Sequence, residues 1–160
     1  MSYELVINST PDEVVTALLH ENKLIELHKE GIDDRFNVGD VYLGKVKKIV
    51  PSLNAAFVDV GYEKDAFLHY HDLGPKIKTL MKFMKLVSEG KITNYSLEKL
   101  NFEKEIDKQG KIDDVLSPND TILTQIIKEP ISTKGPRISS ELSFAGRFLV
   151  LIPLSNRISV

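Results

Sequence analysis

Apolar and polar positions alternate in short runs along most of the chain, and each run predicts a strand. Residues 3–9, YELVINS, form the first, which ends at a Ser-Thr-Pro-Asp turn. The next stretch, EVVTALLHENKLIELHKE, reads either as one helix or as two strands. Its β-branched start and the polar His-Glu-Asn break before LIEL favour a hairpin. GIDDRFNVGD then reads as a loop. From Gly39 onward the short runs recur as VYLGKVKKIV, AAFVDVG, AFLHYH and, after an interruption, TILTQIIKE and RISSEL. Short strands with Gly and Pro punctuation predict a small barrel or sandwich.

Residues 74–119 are the interruption. Ile77, Leu80, Met81, Met84 and Val87 recur at helical spacing with lysines between them. A cap-like start at Ser96 predicts a second helix, and NFEKEIDKQGKIDD reads as helix then loop. The segment from Lys76 to Lys91 carries five Lys and one Glu. It is either a cationic grip on an anionic partner or, the favoured reading, the solvated side of an amphipathic helix docked on its own barrel. The final run, FLVLIPLSNRISV, reads as a strand, a turn and half of another strand. On that pattern the chain is expected to be a piece of a longer protein.

Composition narrows the function classes. A chain of 160 residues that is 42% apolar, with 7 Phe and 5 Tyr, can bury a real core. Its formal charge of −2 gives no global basic excess, so any nucleic-acid binding must be local. The absence of Cys excludes disulfides, thiolate metal sites and Cys nucleophiles, and leans towards a cytoplasmic location. The opening MSYELVINSTPDE is too polar for a secretory signal. The longest apolar run, Phe148 to Leu154, is far short of a membrane span, so no membrane partner is expected.

Alternation also sorts the side chains that could carry chemistry. In AAFVDV, Ala56, Val58 and Val60 share one face, while Ala55, Phe57 and Asp59 share the other. In AFLHYH, Ala66, Leu68 and Tyr70 share one face, while Phe67, His69 and His71 share the other. Both Phe residues therefore lie on the wetter face, where they would form a stacking platform for unpaired bases. The competing reading packs them under a loop or under the interruption. Lys45, Lys47 and Lys48 either track phosphates beside that platform or form a solvated strand face. His69, His71 and Asp72 invite a metal reading, but two His without a third ligand at characteristic spacing are a weak signal, and no metal is expected here. Asp59 reads as structural. The carboxylates of residues 98–114 read as solvated faces. The glycines are too scattered for a phosphate-binding loop.

These same residues carry a family resemblance. GDVYLGKV at 39–46, AAFVDVG at 55–61 and FLH at 67–69 resemble the S1 RNA-binding domain, an OB-fold barrel. The tract from Tyr42 to Gly61, followed by Phe67 and Leu68, is more closely similar to the S1 domain of the ribonuclease E/G endoribonucleases. Lys134-Gly135 and SFAGRFLVLIP at 143–153 resemble that family's segment leaving the barrel, and ELVINST resembles its N-terminal strand.

The resemblance implies an α+β, mostly β fold. A five-stranded S1/OB barrel would span 38–140 with a helical insertion at 74–119. Strands of an incomplete ribonuclease H-like subdomain would precede it at 1–37, and the start of a sensor region would follow at 141–160. Phe57 and Phe67 stand at the family's two RNA-stacking positions, Lys134 at a basic position on the same surface, and His69 and Arg137 at the His and Arg of the wider S1 pattern. Together with Lys45, these are the expected RNA-binding residues. Two features depart from the family: Ala66 stands where Gly is usual, and the insertion is long enough for its helices to cover or extend the RNA surface.

The implied function is single-stranded RNA binding and substrate positioning, as the N-terminal part of a ribonuclease G-like endoribonuclease acting in RNA processing and degradation. That family cleaves with paired Asp residues holding Mg²⁺ on a later domain. The metal is thus expected in the parent enzyme, with no cofactor and no catalysis in these residues alone. Single-stranded RNA is the expected partner, DNA is not, and the flanking strands leave self-association open. Two alternatives stand beside this reading: a stand-alone S1 module of translation or RNA metabolism, and a protein-interaction fragment with the insertion as its docking surface. The strand pairs flanking the barrel argue against the first.

Overall fold

A short polar break inside a β-branched run folds residues 13–31 into a hairpin. In the computed structural model, which describes residues 2–31, 36–91, 101–155 and 158–159, the chain divides into two units, Met1–Arg35 and Phe36–Val160. In the first, β1 (Tyr3–Ser9), β2 (Glu13–His20) and β3 (Lys23–Gly31) form an antiparallel sheet in that order. The β2–β3 link is the two-residue turn Glu21-Asn22, and both residues have positive φ, 50° and 62°. This is the backbone that a tight hairpin connection demands, so EVVTALLHENKLIELHKE is a hairpin and not a helix. Thr10 ties the β1–β2 turn: its hydroxyl accepts from the Glu13 N–H at 3.2 Å.

The second unit is built on a closed barrel of β4 (Val41–Val50), β5 (Ala55–Asp59), β6 (Ala66–His69), β7 (Thr121–Lys128) and β8 (Arg137–Ser139). The strand order is β4-β5-β6-β8-β7, antiparallel except for the β6–β8 pair. Alternation places Val46, Ala56, Val58, Ala66, Leu68, Ile122, Ile126 and Ile138 inside, all essentially inaccessible to solvent. Ala66 fits within this interior. At Gly44 a Cβ would come within 2.5 Å of Val58 Cγ1, so the barrel wall tolerates no side chain there. Phe36, Tyr42 and Tyr62 pack together against the same core, with ring centroids 4.7 and 4.9 Å apart.

Two elements differ from the sequence expectation around the excursion between β6 and β7. First, β6 stops at His69. Tyr70–Asp72 form a 3-10 turn whose first N–H groups need acceptors, and His69 Nδ1 accepts from the His71 N–H at 3.2 Å. His71 therefore leaves the strand, while Tyr70 stays buried. Second, residues 101–111 are not helical. The Glu103 N–H donates to Thr79 Oγ1 at 2.9 Å and the Ile106 N–H to the Pro75 carbonyl at 3.0 Å. These donors are satisfied by neighbouring elements instead of by a helical turn of their own. The helix expected from Ser96 begins outside the described residues.

The first helix is present as α1 (Ile77–Ser88). It buries Ile77 and Thr79, packs beside β7 and leaves Lys78, Lys82 and Lys85 exposed. It is thus docked on its own barrel, and Lys82 is paired with Glu103.

Asn54 fastens the return limb of the excursion. In a left-handed conformation with φ 47°, it donates from Nδ2 to the Gly110 carbonyl at 3.1 Å and accepts at Oδ1 from the Ile112 N–H at 2.7 Å. The Tyr70 hydroxyl donates to the Asp107 carbonyl on the same limb. These anchors seat Ile112 and Leu116 in the core. Asn54→Ala leaves two polar groups of the limb without their partner and keeps a strained φ. It is expected to lower unfolding stability by about 1–3 kcal/mol, read from a urea midpoint shift with unchanged slope.

After β8, β9 (Phe144–Ala145) and β10 (Val150–Leu151) form a minimal hairpin. Of the strand expected at the start of FLVLIPLSNRISV, only Val150 and Leu151 are paired. The half-strand expected beyond it falls partly outside the described residues. Among the described residues, no helix is long and apolar enough to cross a membrane.

Candidate nucleic-acid interface

Phe57 and Phe67 are directly opposite each other on β5 and β6. Their rings meet edge to face, 5.9 Å apart at 69°, and both are partly exposed. The register extends this pair in both directions. Lys48 on β4 is the cross-strand neighbour of Phe57, Arg137 on β8 is the neighbour of Phe67, and Lys128 on β7 is the neighbour of Arg137. One row, Lys48–Phe57–Phe67–Arg137–Lys128, thus crosses all five strands.

Two β-bulges create the cationic ends of this row. On β4 the register shifts between Val46 and Lys48, and on β7 between Ile126 and Lys128. The extra residue on β4 lets Lys47 and Lys48 both face outward in succession, which strict alternation forbids.

The cations differ in what already holds them. Lys47 lies 3.1 Å from both Asp59 and Asp65. Hydrogen bonds from the Gly61 N–H and then from Lys47 hold the Asp59 carboxyl below its ordinary range, while Asp59 and then Asp65 push the Lys47 ammonium above its own. Lys45 is paired in register with Asp59. Arg137 forms a bidentate pair with Asp72, Nε to Oδ2 at 2.9 Å and Nη2 to Oδ1 at 3.1 Å, and the Asp72 side chain is only 15% exposed. That pair occupies the carboxylate that sequence alone placed beside His69 and His71 in a metal reading, and it fixes the guanidinium next to Phe67.

His69 follows Phe67 by two positions on the same outward face, opposite Ala55. Because its Nδ1 accepts from the His71 N–H, Nε2 is the ring's donor. Lys134 is exposed in the tight turn that leads into β8, where its N–H donates to the Ile131 carbonyl at 3.0 Å. Gly135 beside it abuts the β5–β6 connection, since a Cβ there would lie 2.2 Å from the Asp65 carbonyl oxygen.

The structure therefore gathers Phe57, Phe67, His69 and Arg137 on adjacent strands, puts Lys134 on the turn entering β8, and places Lys45 farther along β4 beside Asp59. Sequence reasoning missed Lys128 altogether and could not separate Lys48 from Lys47. The deciding signal, the bulge, leaves no mark in an alternation pattern.

A family model described as the S1 RNA binding domain matches residues 35–139. Ribonuclease G of Haemophilus influenzae is 31% identical over 157 residues, covering 98% of this chain and 28% of its own length. Ribonuclease G of Escherichia coli strain K12 is 30% identical over 160 residues, covering the whole chain and 29% of its own length. Ribonuclease E of Synechocystis is 34% identical over 124 residues, covering 77% of the chain and 14% of its own length. The chain thus spans less than a third of the length of these curated relatives. With the closed barrel, the outward aromatic pair and the match over residues 35–139 all in agreement, the chain belongs to the S1 RNA-binding domain family, in the form found in proteins of the ribonuclease E/G kind.

Proposed function

We propose that this chain binds single-stranded RNA on the Phe57–Phe67 platform and positions it for cleavage within a ribonuclease G-like endoribonuclease of RNA processing, in the cytoplasm. The observation that carries the reading is the outward, in-register Phe pair with cations on the neighbouring strands. Unpaired bases present π faces that stack on such rings at about 1–3 kcal/mol each, whereas a duplex keeps those faces covered. Arg137, held by Asp72, orients the strand at the β8 side, and His69 Nε2 offers a donor to a base edge or phosphate oxygen. Lys134 and Lys45 add positive charge around the platform. DNA and membranes are not assigned as partners, and self-association through the flanking strands is a separate proposal that sedimentation would test.

Chemistry is a different matter from binding. Among the described residues, no three His, Asp or Glu side chains converge in a group that could hold a metal ion.

The test is the salt dependence of binding to a labelled oligouridylate. The log of the association constant is expected to fall linearly with the log of salt concentration, with a slope of about −0.7 per phosphate contacted. A salt-independent affinity would sink the reading.

A further inference from the structure

Of the three lysines on β4 near the platform, the geometry points to Lys48 as the one that holds RNA backbone. We infer that Lys48 contacts the phosphate flanking the base stacked on Phe57. This rests on the RNA-binding reading above and goes beyond it by naming the contact.

Three observations converge on Lys48. It is the direct cross-strand neighbour of Phe57, and directly opposed side chains in a sheet lie close enough to contact one ligand. The bulge between Val46 and Lys48 turns it outward although the residue before it also faces out. Its charge is also uncommitted: among the described residues it has no ion pair or side-chain hydrogen bond. Lys47, one residue away, is held between Asp59 and Asp65 at 3.1 Å from each. Lys45 faces Asp59 in register and lies on the far side of the bulge from Phe57. A phosphate near Lys45 or Lys47 would meet the Asp59 carboxylate, whereas one beside Lys48 meets a free ammonium.

The experiment is fluorescence anisotropy of a short fluorescein-labelled oligouridylate over a salt series. It compares wild type with Lys48→Gln, Lys48→Arg, Lys47→Gln and the Phe57→Ala/Phe67→Ala double variant. Lys48→Gln is expected to weaken binding about three- to tenfold at low salt and to reduce the magnitude of the log–log slope by about 0.7. Lys48→Arg restores the slope, and Lys47→Gln leaves it unchanged. Because both lysines are exposed on the strand surface, circular dichroism is expected to match wild type for every lysine variant. An unchanged slope in Lys48→Gln, or an equal or larger loss in Lys47→Gln, overturns the inference while leaving platform binding intact. Equal binding by wild type and the double Phe variant, or no binding by either, overturns the platform reading itself and this inference with it.

Discussion

Replacing both Phe57 and Phe67 with alanine is expected to lower affinity for single-stranded RNA by at least about thirtyfold, at about 1–3 kcal/mol per stacked base. The barrel itself should survive. Both rings face outward from a core made by other residues, Val46, Val58, Leu68, Ile122 and Ile138 among them. The loss in stability is then mainly that of the edge-to-face contact, about 0.5–1.5 kcal/mol. Conservative variants separate the causes. Tyrosine at either position keeps a π face and should keep most of the affinity. Leucine keeps apolar area without a π face and should not. A folded double variant that binds as tightly as wild type would mean that the rings serve packing alone, the competing reading of these two residues.

The second large effect concerns the barrel's parallel seam. Gly135→Ala is expected to lower stability by about 1–3 kcal/mol, with more if the seam opens, and to reduce Tm on the order of 5 °C. The cause is local and steric. A Cβ at residue 135 would meet the Asp65 carbonyl oxygen at 2.2 Å, the Asp65 carbonyl carbon at 2.9 Å and the Lys64 carbonyl oxygen at 2.9 Å. All three are backbone atoms, so no rotamer change relieves them. Relief requires moving residues 134–137 away from the β5–β6 connection, which strains the hydrogen bond from the Phe67 N–H to the Pro136 carbonyl at 2.8 Å. Arg137 and Lys134 would shift with it, so RNA affinity should fall together with Tm. Gly31→Ala is the control, because nothing lies within 4 Å of its Cβ position. Differential scanning fluorimetry of the two variants decides the point, and equal Tm values would refute the steric account.

The barrel strands were legible because their faces differ: an inner row such as Ala56, Val58 and Leu68 must be small or apolar, and an outer row need not be. The β2–β3 hairpin was legible from its β-branched start and the polar His20-Glu21-Asn22 break. The limb at 101–111 was misread because its mixture of charged and apolar residues suits a helix, while what decides its shape is Thr79 and Pro75, distant in sequence. At the interface, alternation found Phe57 and Phe67 but had no access to register. The pairing of Arg137 with Asp72 links residues 65 positions apart, a partnership that no spacing in the sequence announces. The roles of Asn54 and Gly135 have the same character: each depends on a close approach between segments that the sequence does not juxtapose.

The anchors at the foot of the excursion have a consequence for chain entropy. Asn54 grips Gly110 and Ile112, and Tyr70 grips Asp107, while α1 is seated at Ile77. Both limbs are therefore fixed at the barrel wall before the intervening chain contributes anything. The conformational cost of joining two fixed points grows only as the logarithm of the length between them, about 0.6 kcal/mol for each doubling. A change in chain length between the end of α1 and Glu103 is therefore expected to leave the spacing of the barrel strands, and with it the Phe57–Phe67 pair, unaltered.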